Sequence, residues 1–92
     1  MSGSPVIAIN RALAIAEVEG APAALKILDS LSGDPRLTQY QPYWAARAEL
    51  LCRTNAAKAA CDAYEVAIGL ERDPAVRRFL QQRQASLKVD PE

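Results

Sequence analysis

The chain has 92 residues, enough for one small domain spanning 1–92 with a modest core that needs neither metal nor disulfide to hold it. Its 11 basic and 11 acidic side chains cancel, which removes the electrostatic case for nucleic acid or an anionic membrane as the main partner. The absence of histidine takes away the commonest general base, the commonest metal ligand and every Ser-His or Cys-His pair, so no enzyme, cofactor or metal site is expected.

Eighteen alanines and no run of strict alternation predict an almost wholly helical chain. The opening "MSGSPVIAIN" has no basic stretch ahead of a long apolar one, and no window approaches the roughly 18 apolar residues of a membrane span. A cytoplasmic protein without a membrane partner is the expectation. Pro5 opens a helix over about 6–18, Gly20 ends it, and Pro22 sits at the start of a second helix reaching about 32. "SGDP" is a turn, and "RLTQYQP" completes a linker over 33–41 with at most one loose helical turn. Pro42 starts a third helix that stops at Arg53, where Asn55 can take up the left-handed conformation. A fourth runs from about 56 to 70, and Asp73 followed by Pro74 caps a fifth over 74–87.

A shift of 36 residues superposes Arg11 on Arg47, Ala12 on Ala48, Ile15 on Leu51, Ala24 on Ala60, Leu28 on Tyr64 and Leu31 on Ala67. The chain therefore reads as two antiparallel helical hairpins, about 6–32 and 42–71, plus a capping helix. Trp44, Ala48, Leu51, Ala60, Tyr64 and Ala67 follow the tetratricopeptide spacing, with Pro74 slightly late. The expected architecture is all-α, a tetratricopeptide-like right-handed stack of about five helices. Ala12, Ala24, Ala48 and Ala60 mark close helix crossings, because only a small side chain lets two helix axes approach to about 8–10 Å.

The core is expected to hold those alanines with Leu28, Trp44, Leu51, Tyr64, Ala67 and Phe79. Trp44, Ala48 and Leu51 share one helix face, so Trp44 reads either as a plug beside small neighbours or as an exposed anchor in a groove. Arg11 and Arg47 flank the small residues, and each either lays its stem along the helix and pairs with an acidic group or a helix C-terminus, or meets a partner. In the last helix Val76, Phe79, Leu80 and Leu87 form the apolar side, with Arg77, Arg78 and Arg83 elsewhere. Cys52 and Cys61 have no ligand spacing and read as ordinary thiols. The apolar residues Val6, Ile9 and Leu13 of the first helix suggest a homodimer of the isolated chain.

The segments "NRALAIAEVEG", "YQPYWAARAELLCR", "ACDAYEVAIGLERDP" and "RRFLQQR" together resemble the C-terminal tetratricopeptide-like extension of bacterial extracytoplasmic-function RNA polymerase sigma factors, over about residues 5–87. Departures occur at Gln41 and Trp44, where the family commonly has histidines, and at Thr54 and Asn55, where it has an arginine-glycine turn. The sigma-2 and sigma-4 domains are absent from this chain. The resemblance implies a regulatory domain that contacts the sigma core domains or RNA polymerase and supports promoter-dependent transcription; the balanced charge adds the expectation that the isolated chain does not bind DNA on its own. It places Arg11, Tyr40, Arg47, Arg78 and Arg83 as candidate protein contacts. The rival reading is a generic repeat adaptor that holds a peptide or partner protein in its concave groove.

Overall fold

Where each helix begins and ends is set by a handful of side chains. The structure, a computed structural model, describes residues 5–87. Within them lie α1 (Pro5–Glu19), α2 (Ala21–Ser30), α3 (Pro35–Thr38), α4 (Gln41–Arg53), α5 (Ala57–Leu70) and α6 (Pro74–Ala85). One residue, Gly20, turns the chain from α1 into α2 at φ 97°, a region that side chains with a Cβ seldom enter. Asn55 makes the matching turn after α4 at φ 64°, which its short polar side chain tolerates. Asp73 caps α6 by accepting the Ala75 amide at 2.9 Å, and Pro74 fills the first helical position, where no donor is lost.

The linker holds a helix of its own, so the described residues form six helices where about five were expected. Asp34 accepts the Arg36 amide at 2.9 Å, Pro35 presets the first dihedral, and Leu37 is 2% exposed. Burial of that leucine, on the order of 2 kcal/mol, holds four residues in a helix that their own propensity would not sustain.

The repeat is visible in the element starts. α1 and α4 begin at 5 and 41, and α2 and α5 at 21 and 57, a spacing of 36 in both pairs. Ala12, Ala24, Ala48 and Ala60 are all completely buried, as close helix crossings require. α1 packs on α2 and α4 on α5; α4 also lies against α1, α2 and α3, and α6 lies against α5. The result is an all-α arrangement of sequentially adjacent helices, of the kind that stacked helical repeats make.

Two clusters make up the interior. The first joins Ile9, Ala12, Ala16, Ala24, Leu28, Leu37, Tyr43 and Leu50, and the second joins Ala48, Ala63, Tyr64, Ala67, Ile68 and Leu80. Trp44 packs against both, and so links the two hairpins. It is only half-buried: its ring meets Tyr43 edge-on at 5.2 Å, and its Nε1 donates to the Thr38 carbonyl at 2.9 Å. The large plug of the first core is its neighbour Tyr43, 1% exposed, whose hydroxyl donates to the Leu28 carbonyl at 3.0 Å. The two aromatics divide the work because they lie about 100° apart around α4.

Three expectations about apolar residues are corrected. Phe79 is 57% exposed, since Val76, Leu80 and Leu87 already form the seam against the second cluster and Phe79 points about 100° away from Leu80. Leu51 is half-buried at the edge of that cluster. Ile9 is buried and Leu13 is half-buried against the first core, so of the three residues named for a dimer face only Val6 is exposed. The exposed large apolar residues of α1 are Val6, Ile7 and Val18.

Candidate protein-interaction surface

The joint between α2 and α4 explains Arg47. Tyr43 and Arg47 are one turn apart on α4 and both point at the last turn of α2. The Tyr43 hydroxyl takes the Leu28 carbonyl, and Arg47 Nη1 lies 2.6 Å from Asp29 Oδ1. That contact is ionic and not aligned as a hydrogen bond, with Nη1 itself buried. A guanidinium against the C-terminal turn of a helix is also favoured by the helix dipole. Burial pushes the Tyr43 hydroxyl above the ordinary phenol range, with Arg47 pulling the other way and Asp29 adding to the rise. Pairing with an acidic group at a helix C-terminus is one of the two readings the sequence allows for Arg47, but that the group is Asp29 depends on how one hairpin stacks on the next.

Beside this joint a shallow groove of about 240 Å³ runs between α4 and α5. Trp44, Arg47 and Leu51 line it from α4, and Ala59, Asp62, Ala63 and Val66 from α5. Val66 is 39% exposed at its wall. Each lining set recurs at three- and four-residue steps, so each helix gives one stripe. The groove exists because small alanines of α5 face a half-buried tryptophan across the hairpin. Trp44 is thus a seam between the two cores on one side and a wall of the groove on the other. Ala59, Asp62, Ala63 and Val66 were missed: their stripe is legible in α5, but which helix it borders is not.

A second feature crosses the helices that begin each repeat. Glu17 of α1 pairs with Arg53 of α4 at 3.4 Å, Arg53 approaches Glu49 at 3.7 Å, and Glu49 pairs with Arg83 of α6. Glu17, Arg53 and Arg83 are exposed and Glu49 partly so, so each pair contributes at most about 1 kcal/mol and is screened by salt. Their carboxylates and guanidiniums neutralise one another, which leaves no dense basic clamp. Arg83 also lies beside Tyr64, whose hydroxyl is raised by burial while Arg83 works against the rise. Burial, with Glu49 nearby, raises the Cys52 thiol as well and makes it a poor nucleophile.

The remaining candidates are dispersed. Arg11 and Arg78 are exposed and make no ion pair among the described residues, and Tyr40 is half-buried against the first core just ahead of α4. No group of three or more Cys, Asp or Glu among the described residues is placed to hold a metal. No described helix is long and apolar enough to cross a membrane.

The fold and groove define an all-α protein of stacked helical hairpins with a side-chain-sized groove. No family model matches the chain, and no solved structure matches it. It is 32% identical over 88 residues to an uncharacterized protein of Rhizobium meliloti (strain 1021), a match covering 96% of this chain and 20% of that protein. The chain thus spans about a fifth of the length of the curated relative it matches.

Proposed function

We propose that the chain is a non-catalytic, tetratricopeptide-like interaction module of the cytoplasm that binds a partner protein by taking one apolar side chain into the groove between α4 and α5. The groove carries this reading. It sets a half-buried tryptophan and an arginine, two residue types that dominate interface energetics, beside apolar Leu51 and Val66. Arg47 and Asp62 at its margin offer polar contacts of both signs, which suits an anchor residue flanked by polar groups. Two hairpins in a right-handed stack give only a short surface, so the module holds a short segment and not an extended peptide.

Trp44 is the sole tryptophan, so its emission reports occupancy of the groove. Peptides selected by display against the full chain should shift that emission and lose at least about tenfold in affinity for Val66→Asp, while the variant melts like the parent. Peptides that bind Val66→Asp as tightly as the parent would place binding elsewhere.

A second reading rests on the runs Asn10-Arg11-Ala12, Ala46-Arg47-Ala48 and Arg78-Phe79-Leu80, which resemble those of the sigma-factor extension. On that reading the partner is a sigma core domain or RNA polymerase, and the isolated chain binds protein and not DNA. Titrating Trp44 emission with an extracytoplasmic-function sigma core tests it. No saturable change, or tight salt-sensitive binding to promoter DNA instead, counts against it.

A further inference from the structure

The repeat offers a comparison within one molecule, since α1 and α4 occupy equivalent places 36 residues apart. α4 turns Tyr43, Ala46, Arg47 and Leu50 toward the hairpin before it. Tyr43, Ala46 and Leu50 are 1%, 9% and 0% exposed, and the Arg47 side chain is 25% exposed. The corresponding residues of α1 are Ile7, Asn10, Arg11 and Ala14, and all four are exposed. Val18, one further step along the same stripe, is 83% exposed. α1 thus carries the face with which α4 receives α2, including its arginine, and nothing among the described residues covers Asn10, Arg11 or Ala14.

We infer that this outward face of α1 is a helix-docking surface, and that its occupant is a helix of a partner protein with a carboxylate in its last turn, seated on α1 as α2 sits on α4. The interface within the chain supplies the chemistry. Arg47 meets Asp29 and the C-terminal turn of α2, so Arg11 is placed to receive a carboxylate and a helix C-terminus in the same way. Ala14 and Val18 leave an apolar stretch over which a helix with leucine-sized side chains, such as Leu28 of α2, can lie.

A second copy of this chain fits less well. A two-fold pairing of α1 with α1 brings two Arg11 side chains together near the middle of the helix. Head-to-tail stacking sets Arg11 against α6, whose exposed side carries Arg78. Both place like charges in contact. The inference concerns a face other than the groove and does not depend on what the groove holds.

The test presents a hairpin of known chemistry to α1. In a chain where residues 5–40 are repeated immediately ahead of Pro5, the added copy offers its Leu28 and Asp29 to α1 in the register of the native joint. Docking should merge the copies into one cooperative melt, about 5 °C or more above the parent. Arg11→Glu at the new joint should remove most of that rise, and Asp29→Arg in the added copy should restore it, while Arg11→Glu in the 92-residue parent leaves its melt unchanged. Two independent transitions would overturn the inference. So would docking seen only after Ile7→Tyr, Asn10→Ala and Ala14→Leu convert the face to that of α4, or a loss of stability from Arg11→Glu in the parent itself. A dimer of the parent that Arg11→Glu strengthens would identify the face as a self-pairing one and equally refute a carboxylate-bearing partner. Val66→Asp should leave every one of these results unaltered, which separates this face from the groove.

Discussion

At the scale of single residues, Tyr43 and Trp44 show how neighbours on one helix acquire different duties. Tyr43 is sealed inside with its hydroxyl on the Leu28 carbonyl, so Tyr43→Phe should cost about 1–2 kcal/mol, read as a lowered melting temperature. The Leu28 carbonyl keeps its bond from the Leu31 amide, which holds the loss to that range. Ionisation adds a pH signature. Cys52, Tyr43 and Tyr64 all have folded pKa values raised chiefly by burial, so each favours its neutral form in the fold. Stability from these groups is fully present below their unfolded values, about 8.5 for the thiol and 10 for the phenols, and is lost as pH rises through the higher folded ones. Chemical denaturation across pH 7–11 should therefore show a plateau and then a decline, and Cys52→Ala should remove the earliest part of it. Arg47 and Asp29 are partly exposed, so Arg47→Ala should cost no more than about 1 kcal/mol of stability. A larger loss of partner affinity in that variant would then reflect contact at the groove.

At the scale of helices, the alanines set the distances and the capping residues set the lengths. Ala48 and Ala60 have no exposed surface, and a leucine at either position has no space to occupy without pushing α4 from α5. Each substitution should destabilise by about 1–3 kcal/mol, and a thermal melt equal to the parent's would refute the close crossing. α6 gives a paired prediction because its register differs from the one its composition suggests. Leu80 is 3% exposed and Phe79 57%, so Leu80→Ala should cost about 2–4 kcal/mol while Phe79→Ser changes the melt by less than about 0.5 kcal/mol. The reverse order would restore phenylalanine to the core.

At the scale of the molecule, two clusters joined through Trp44 make the hairpins depend on each other. Trp44→Ala should lower stability by roughly 3 kcal/mol and broaden the unfolding transition, because it loosens both clusters at once. The Glu17, Arg53, Glu49 and Arg83 series spans three helices, yet its exposure keeps it weak. Glu49→Gln should cost about 1 kcal/mol at low salt and almost nothing near 1 M, as screening predicts. The same series makes this face self-neutral, in contrast to the largely apolar groove between α4 and α5.

The sequence by itself determined the helices and their pairing into repeats. Breakers at Gly20, Asn55 and Asp73-Pro74 act within a few residues of themselves, and the repeated small alanines make the hairpin contact a local matter. The 36-residue register was therefore legible, as were Ala12, Ala24, Ala48 and Ala60 at the crossings. Only the tertiary structure decided the rest. Leu37 turned a linker into a helix because a core was there to receive it, and Phe79 stayed outside because Val76, Leu80 and Leu87 had taken the seam. Arg11 and Arg47 look alike in sequence and differ in the fold, since one has α2 in front of it and the other does not. Periodicity within a helix fixes which residues share a face, but the stacking of one hairpin on the next fixes what that face meets, and the groove and the open side of α1 are both products of that stacking.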